Sequence, residues 1–189
     1  VLGQRLSQSL VLQRLLYAVE FQGVSMWTTL LKRGAATYVD PLSLLRHRAS
    51  KLGKDPEAYL LELLSRDVDP GERVEMYLAA SRWFWEEGMR LLEAGDVRRA
   101  SEKLWNAVVQ AVKAYAEAAD MPHDSHRLIW AAVRRLARDN AEVLTLFAAV
   151  EQLHINFYEG HLERDDVEHL AKKAKHIIEY VEGLLGGRR

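Results

Sequence analysis

Apolar residues recur along most of this chain at intervals of three and four, the spacing that puts them on one side of an α-helix. The clearest stripe is Val97, Ala100, Leu104, Ala107, Val108, Ala111, Tyr115 and Ala118, with Arg98, Glu102, Asn106, Lys113 and Glu117 on the polar face. Met76, Ala80, Trp83, Phe84 and Leu91 form the stripe before it. That helix starts at Gly71 and ends at Gly95, and Gly95-Asp96 reads as a tight joint with Asp96 capping the next helix. Downstream, Ser125 is an N-cap for a helix built on Leu128, Ile129, Ala132, Val133 and Leu136. Asp139-Asn140 breaks that helix and caps another, built on Val143, Leu144, Phe147, Val150, Leu153, Phe157 and Tyr158 and ended by Gly160. A last helix runs from about Asp165, with Glu168 completing a capping-box-like pair, over Val167, Leu170, Ala171, Ala174, Ile177, Ile178, Val181 and Leu185. The pattern therefore predicts an all-α chain whose 70–189 region is an up-and-down bundle of about five helices.

The first third is punctuated differently. Asp40-Pro41 and Asp55-Pro56 each set a capping carboxylate before a proline, and Gly53 separates two short apolar stripes that stop near Asp69-Pro70. Residues 34–69 predict a small helical hairpin, with a short strand at 35–39 before it. Strand, helix, turn and helix resemble a ribbon-helix-helix unit only in outline. Arg46, Arg48 and Lys51 can hold phosphates, but Thr37 alone in the strand offers a polar group for bases. A docking or dimerising hairpin is the favoured reading, and a DNA-binding regulator is the alternative. Residues 1–33 predict a helical extension. Its apolar stretch Leu10–Leu16 contains Arg14, is too short to span a membrane, and has no small-residue cleavage site after it. The segment before Met26 is either an upstream extension or an amphipathic helix packed on the bundle or a partner.

Composition narrows the classes. A 49% hydrophobic and 28% charged chain of 189 residues can build an ordinary core. A formal net charge of -1 gives no global field for nucleic acid or anionic membrane, so any such contact needs a local patch. The absence of cysteine excludes disulfides, Cys-ligated zinc and thiol catalysis, and suits the cytoplasm. The excess of Arg over Lys and the scarcity of Asn suit a thermophile or a GC-rich genome. The chain has no Gly-rich phosphate loop, no Gly-x-Ser-x-Gly elbow and no His-Glu-x-x-His, and no cofactor is expected.

Several separated stretches carry a resemblance. Leu92-Glu93-Ala94-Gly95-Asp96-Val97-Arg98-Arg99-Ala100-Ser101-Glu102-Lys103-Leu104-Trp105-Asn106-Ala107, Lys113-Ala114-Tyr115-Ala116, Ser125-His126-Arg127 and Leu153-His154-Ile155-Asn156-Phe157-Tyr158-Glu159-Gly160 occur in order and at matching spacing. Over roughly 55–185 the chain resembles the archaeal PaREP family of HEPN-like helical domains. The resemblance implies a helical bundle, a homodimer, and an association with RNA, with nucleotide, or with a nucleotidyltransferase-type or antitoxin partner. HEPN ribonucleases use an Arg and, four to six residues later, a His, two copies meeting across a dimer. Here His154 stands where that Arg would be, six residues before His161, with Asn156 in the place of the polar residue that comes after it. His154 is at best half-charged near neutrality, whereas Arg is always charged and can grip phosphate with two donors.

If the chain cleaves RNA, His161 is the expected base, His154 or Arg164 the stabilising cation, and Asn156 the group that orients phosphate, with no metal. Tyr158, Glu159, Trp105 and Arg164 are the expected binding residues. The structural alternative is that His154, Asn156, Tyr158 and Glu159 tie a helix end to its neighbours. On an unbroken helix His154 and His161 would lie about 10 Å apart, too far to share a metal. His123, Asp124 and His126 read as loop-ordering groups rather than a zinc site, and His169 and His176 as an exposed flank. Trp83 and Trp130 read as core. Trp85 and Trp105, off or beside their stripes, read as interface or pocket residues. The first reading is thus a binding or interaction module, the second a metal-independent ribonuclease, the third the DNA-binding regulator.

Overall fold

The computed structural model describes residues 40–187, and the predicted N-terminal helix and the strand at 35–39 lie outside them. Seven α-helices, and no strand, are found among the described residues: α1 Pro41–Lys51, α2 Pro56–Leu64, α3 Pro70–Glu93, α4 Val97–Ala118, α5 His126–Leu136, α6 Glu142–Glu159 and α7 Arg164–Gly186. None of them is long and apolar enough to cross a membrane. The chain divides into two compact units at Arg46 and His47, within α1; the second holds α2 to α7 and the main hydrophobic core.

Local chemistry sets the helix ends. Asp55 Oδ1 accepts from the amides of Glu57 and Ala58, with Pro56 at the first helical position of α2. Asp40 caps α1 through Leu42 and Ser43 in the same manner. Gly53, Gly95 and Gly160 end α1, α3 and α6 with positive φ, a conformation a Cβ disfavours. Asp96 then takes the Arg99 amide, so α3 and α4 form the tight hairpin the sequence predicts. The capping box of α7 is Glu163 with Asp166, not Asp165 with Glu168. Glu168 instead pairs with Arg164 one turn back.

α4 is the central helix and touches α3, α5, α6 and α7. This explains why it is buried nearly all round in its first two-thirds. Its alanines at 100, 107, 111 and 114 are wholly buried, and their small size admits neighbours on several sides. Gly88 on α3 does the same from the other side: a Cβ there would lie 2.8 Å from Leu104 Cγ. Around α4 pack Phe84, Leu92, Val133, Leu136, Phe147, Leu153, Ile177 and Val181 in one continuous core.

Two tryptophans depart from expectation, whereas Trp130 packs against the core as expected. Trp105 is only 4% exposed, and Trp83, expected in the core, is 46% exposed. A central helix has no solvent face at its middle, so a residue flanking its stripe is covered by the next helix over. α3 packs mainly on α4, which leaves the Trp83 side of it open.

Candidate functional site

The first half of α4 runs past the last turns of α6, and the two stretches that carried the resemblance meet there residue by residue. Arg98 donates through Nε and Nη2 to the Phe157 carbonyl at 3.1 and 2.7 Å, and through Nη2 to the Tyr158 carbonyl at 3.1 Å. These are carbonyls of the last turn of α6, which have no partner within the helix, and the guanidinium also complements the negative end of its dipole. Asn156 is fully buried; its Nδ2 donates to Ser101 Oγ at 2.9 Å and its Oδ1 accepts from the Leu162 amide at 2.7 Å. Two residues back on α6, His154 Nδ1 donates to Glu102 Oε2 at 3.0 Å. Glu102 is 4% exposed, and its Oε1 also faces the Asn106 amide at 3.4 Å. The hydrogen bond to Glu102 raises the His154 pKa above its ordinary value against the opposing effect of burial.

His154 stacks on Trp105 with centroids 5.5 Å apart, and His126, the first residue of α5, lies 6.0 Å from Trp105 and 6.5 Å from the His154 ring. His126 is held by Glu151 of α6 at 2.7 Å, and Trp130 Nε1 donates to the same carboxylate oxygen at 3.1 Å. His123, in the loop before α5, is held by Glu117 of α4 at 2.8 Å and meets the edge of Tyr77. Three imidazoles are thus each fixed by a glutamate, His123 and His126 through Nε2 and His154 through Nδ1. Orienting carboxylates set which ring nitrogen remains free.

The three imidazoles, with Glu102 and Trp105, line a cleft of about 230 Å³. Its floor is one face of α4 (Glu102, Trp105, Asn106, Val109, Gln110 and Lys113). One wall is the α1–α2 joint and α2; the other is the 123–126 loop and the start of α5. Tyr158 donates from its hydroxyl at 2.8 Å to the carbonyl of Gly53, a residue of that first wall. α2 is pinned to α4 by Lys103, whose ammonium sits 2.6 Å from Asp55 and 2.9 Å from Glu57 and above the rings of Trp83 and Phe84. Burial pushes the Asp55 carboxyl up even so.

The predicted site residues separate in space. His154 and Trp105 line the cleft, although Trp105 offers an edge only, its surface being covered by the imidazoles and Phe147. Tyr158 does not line the cleft but bonds to Gly53, which does. Asn156 is used up in holding the α6 end against α4. His161 lies past Gly160, exposed, in the loop to α7, where among the described residues it makes no hydrogen bond or ion pair. Glu159 is exposed, and Arg164 is engaged by Glu168 at 2.8 Å on the surface of α7. No group of three or more potential ligands among the described residues is placed to hold a metal. Glu151, Arg98 and the joint at Gly53 escape the sequence reading, because their partners lie 21 to 105 residues away and leave no local signature. Gln110 escapes it because its surroundings come from other helices.

Comparison with known proteins bears on this geometry. The model of the archaeal PaREP1/PaREP8 family matches residues 76–178, which run from α3 through most of α7. A crystal structure of a protein from Sulfolobus solfataricus aligns with a TM-score of 0.53 and 21% identity, covering 56% of this chain and 96% of that one; the likeness is one of fold. No curated protein matches. With more than half its length under the family model, and with the α4 and α6 stretches forming one contact, the chain belongs to the archaeal PaREP1/PaREP8 family.

Proposed function

We propose that this protein is a HEPN-like binding module whose cleft takes a nucleotide or the end of an RNA strand. The observation that carries the reading is the convergence of His126 and His154, both carboxylate-oriented, with Lys113 on one groove along α4. Lys113 and the imidazoles are the donors a phosphate can use in this cleft, where Asp55, Glu62 and Glu102 are engaged by Lys103, Lys54 and His154 and Asp124 is the remaining carboxylate of the lining. At about 230 Å³ the cleft is at the small end of ligand pockets, with room for at most one nucleotide and not for a strand. The HEPN resemblance further supports a homodimer. Ile155 and Tyr158, one turn apart and exposed on α6, offer an apolar patch beside the cleft mouth for a second copy.

The test is a titration of the protein with the four nucleoside monophosphates and a short single-stranded RNA, monitored through the imidazole NMR resonances. Shifts of the cleft imidazoles His123, His126 and His154 are expected, with His161, His169 and His176 unmoved. Unmoved cleft imidazoles at millimolar ligand would remove the reading.

A metal-independent ribonuclease is the second reading, and the 6.5 Å approach of the His126 and His154 rings is what favours it, since an acid and a base must flank one phosphate. In that reading His126 and His154 would supply the acid and the base, and His161, which does not line the cleft, would take part where a second copy brought it there. Incubation of a broad RNA panel with chelator present tests it; no cleavage is expected from the binding module.

A further inference from the structure

The outer face of α5 concentrates unpaired positive charge. Residues 125–138 contain four arginines, one histidine and no carboxylate, in a chain whose formal net charge is -1. Arg127, Arg134, Arg135 and Arg138 are all exposed, and none makes an ion pair among the described residues. By contrast Arg73, Arg82, Arg90, Arg99 and Arg164, on other helices, are each paired with a carboxylate. The carboxylates nearest in sequence, Asp124 and Asp139, stand beyond the two ends of this segment, and Glu151 of α6 is engaged by His126 and Trp130. At about 100° per residue, Arg127, Arg134 and Arg138 fall within about 40° of one another, on a line about 16 Å long. Arg138 lies two residues past α5, where the winding continues: its amide donates to the Arg135 carbonyl at 3.3 Å. Arg135 flanks the line, and the Arg134 guanidinium lies over the Trp130 ring, 5.5 Å from its centre.

Helix stability does not account for this stripe. Arg134 and Arg135 suit the negative end of the helix dipole, but Arg127 sits in the first turn, at the positive end, where a cation is unfavourable. Arg134 and Arg138 are like charges four residues apart, which destabilises a helix. An anionic partner relieves both penalties. The class of partner follows from what the face lacks. None of the exposed large hydrophobic residues is on α5, so the apolar anchors on which protein interfaces centre are missing. The apolar side of α5, with Ile129, Ala132, Val133 and Leu136, is buried in the core and cannot enter a membrane. What remains is a row of guanidiniums, each able to hold a phosphate with two donors.

We propose that the stripe from Arg127 to Arg138 docks the phosphate backbone of a single nucleic-acid strand, RNA and DNA alike. The line is one side chain wide, which fits one strand rather than two across a groove, and it spans about five phosphates of a stacked strand. Residues 126–138 contain no Asn, Gln, Ser or Thr to read a base or a ribose hydroxyl, so the contact selects neither sequence nor sugar. None of the four arginines lines the cleft, so the proposal does not rest on the cleft reading.

The test titrates the full chain into fluorescein-labelled oligouridylate and oligothymidylate, followed by anisotropy between about 50 and about 200 mM salt. Equal affinity for the two is expected, with log affinity falling against log salt at a slope of about -3, four contacts at about 0.7 each on a single strand. Arg127→Gln, Arg134→Gln and Arg138→Gln together should weaken binding about tenfold or more and bring the slope to about -1. The charge-matched control, Arg66→Gln with Arg82→Gln and Lys172→Gln, alters exposed side chains elsewhere and should bind as wild type does. Should the triple variant fail to fold, the single substitutions decide, each lowering the slope by about one. Unchanged binding by the stripe variants, equal losses in the control, or no binding by wild type at about 50 mM salt would each overturn the proposal. So would tighter binding to a polyglutamate peptide or to phosphatidylserine vesicles than to either oligonucleotide, or about a tenfold preference for RNA, which requires contacts to the sugar. The imidazole titration reports the cleft separately, so either site can fail while the other stands.

Discussion

His154 on α6 donates from Nδ1 to the buried carboxylate of Glu102 on α4, 3.0 Å away and 52 residues earlier in the chain. The bond fixes the imidazole, leaves Nε2 for the cleft, and gives the buried charge its main partner. Its electrostatics make the first prediction. The hydrogen bond to Glu102 holds the His154 pKa above its ordinary 6.5, so the folded state binds the proton more tightly than the unfolded one. The resulting stability is fully present below the ordinary value and is lost as pH rises through the folded one. His154→Gln should therefore melt further below wild type at about pH 6 than at about pH 9. A gap independent of pH in thermal denaturation would contradict the pairing.

Asn156 ties three segments together: α6, the start of α4 through Ser101, and the loop to α7 through the Leu162 amide. Asn156→Ala removes both bonds and leaves a fully buried gap. A loss of about 2–4 kcal/mol is expected in denaturant unfolding, the sum of two ordinary buried hydrogen-bond losses. Asn156→Asp should be no better, because it retains the acceptor but buries a charge. A wild-type midpoint for either variant would show that the bonds are dispensable.

Gly88 sits where α3 presses against α4. A methyl group there would come within 2.8 and 3.0 Å of the Leu104 side chain and 3.1 Å of its backbone nitrogen. Alanine is favoured over glycine in a helix by about 1 kcal/mol, yet overpacking of this kind costs about 1–3 kcal/mol. Gly88→Ala should come out destabilised or at best neutral, and Gly88→Val clearly destabilised. A stabilised Gly88→Val would mean that the two helices are not in contact at this point.

A homodimer is expected at micromolar concentration, twice the 21.6 kDa of the chain by light scattering. Ile155→Glu with Tyr158→Glu should give the monomer, since both place charge in an apolar contact. A monomeric wild type would exclude any site shared between two copies.

The helices from Pro41 onward are written in the sequence because their causes are local. Three-and-four spacing marks the buried face of α4, proline after aspartate opens α1 and α2, and glycine in the left-handed region closes α1, α3 and α6. The family resemblance is legible for the same reason, as stretches of consecutive residues. What only the tertiary structure decides is which polar residues meet. Spacing along the chain invites His154 to be paired with His161, but the reversal at Gly160 carries His161 into the next loop, while the crossing of α6 over α4 brings Glu102 and Trp105 to His154. Trp105 looks like a pocket aromatic from its own helix, and becomes a buried platform because α4 is central. Lys113, read as part of an ordinary polar face, and Gln110 come to line a cleft because α2, the 123–126 loop and α5 close around them. Periodicity reports how a helix divides inside from outside, but not which helix will cover it, and a polar side chain's partner is set by that crossing.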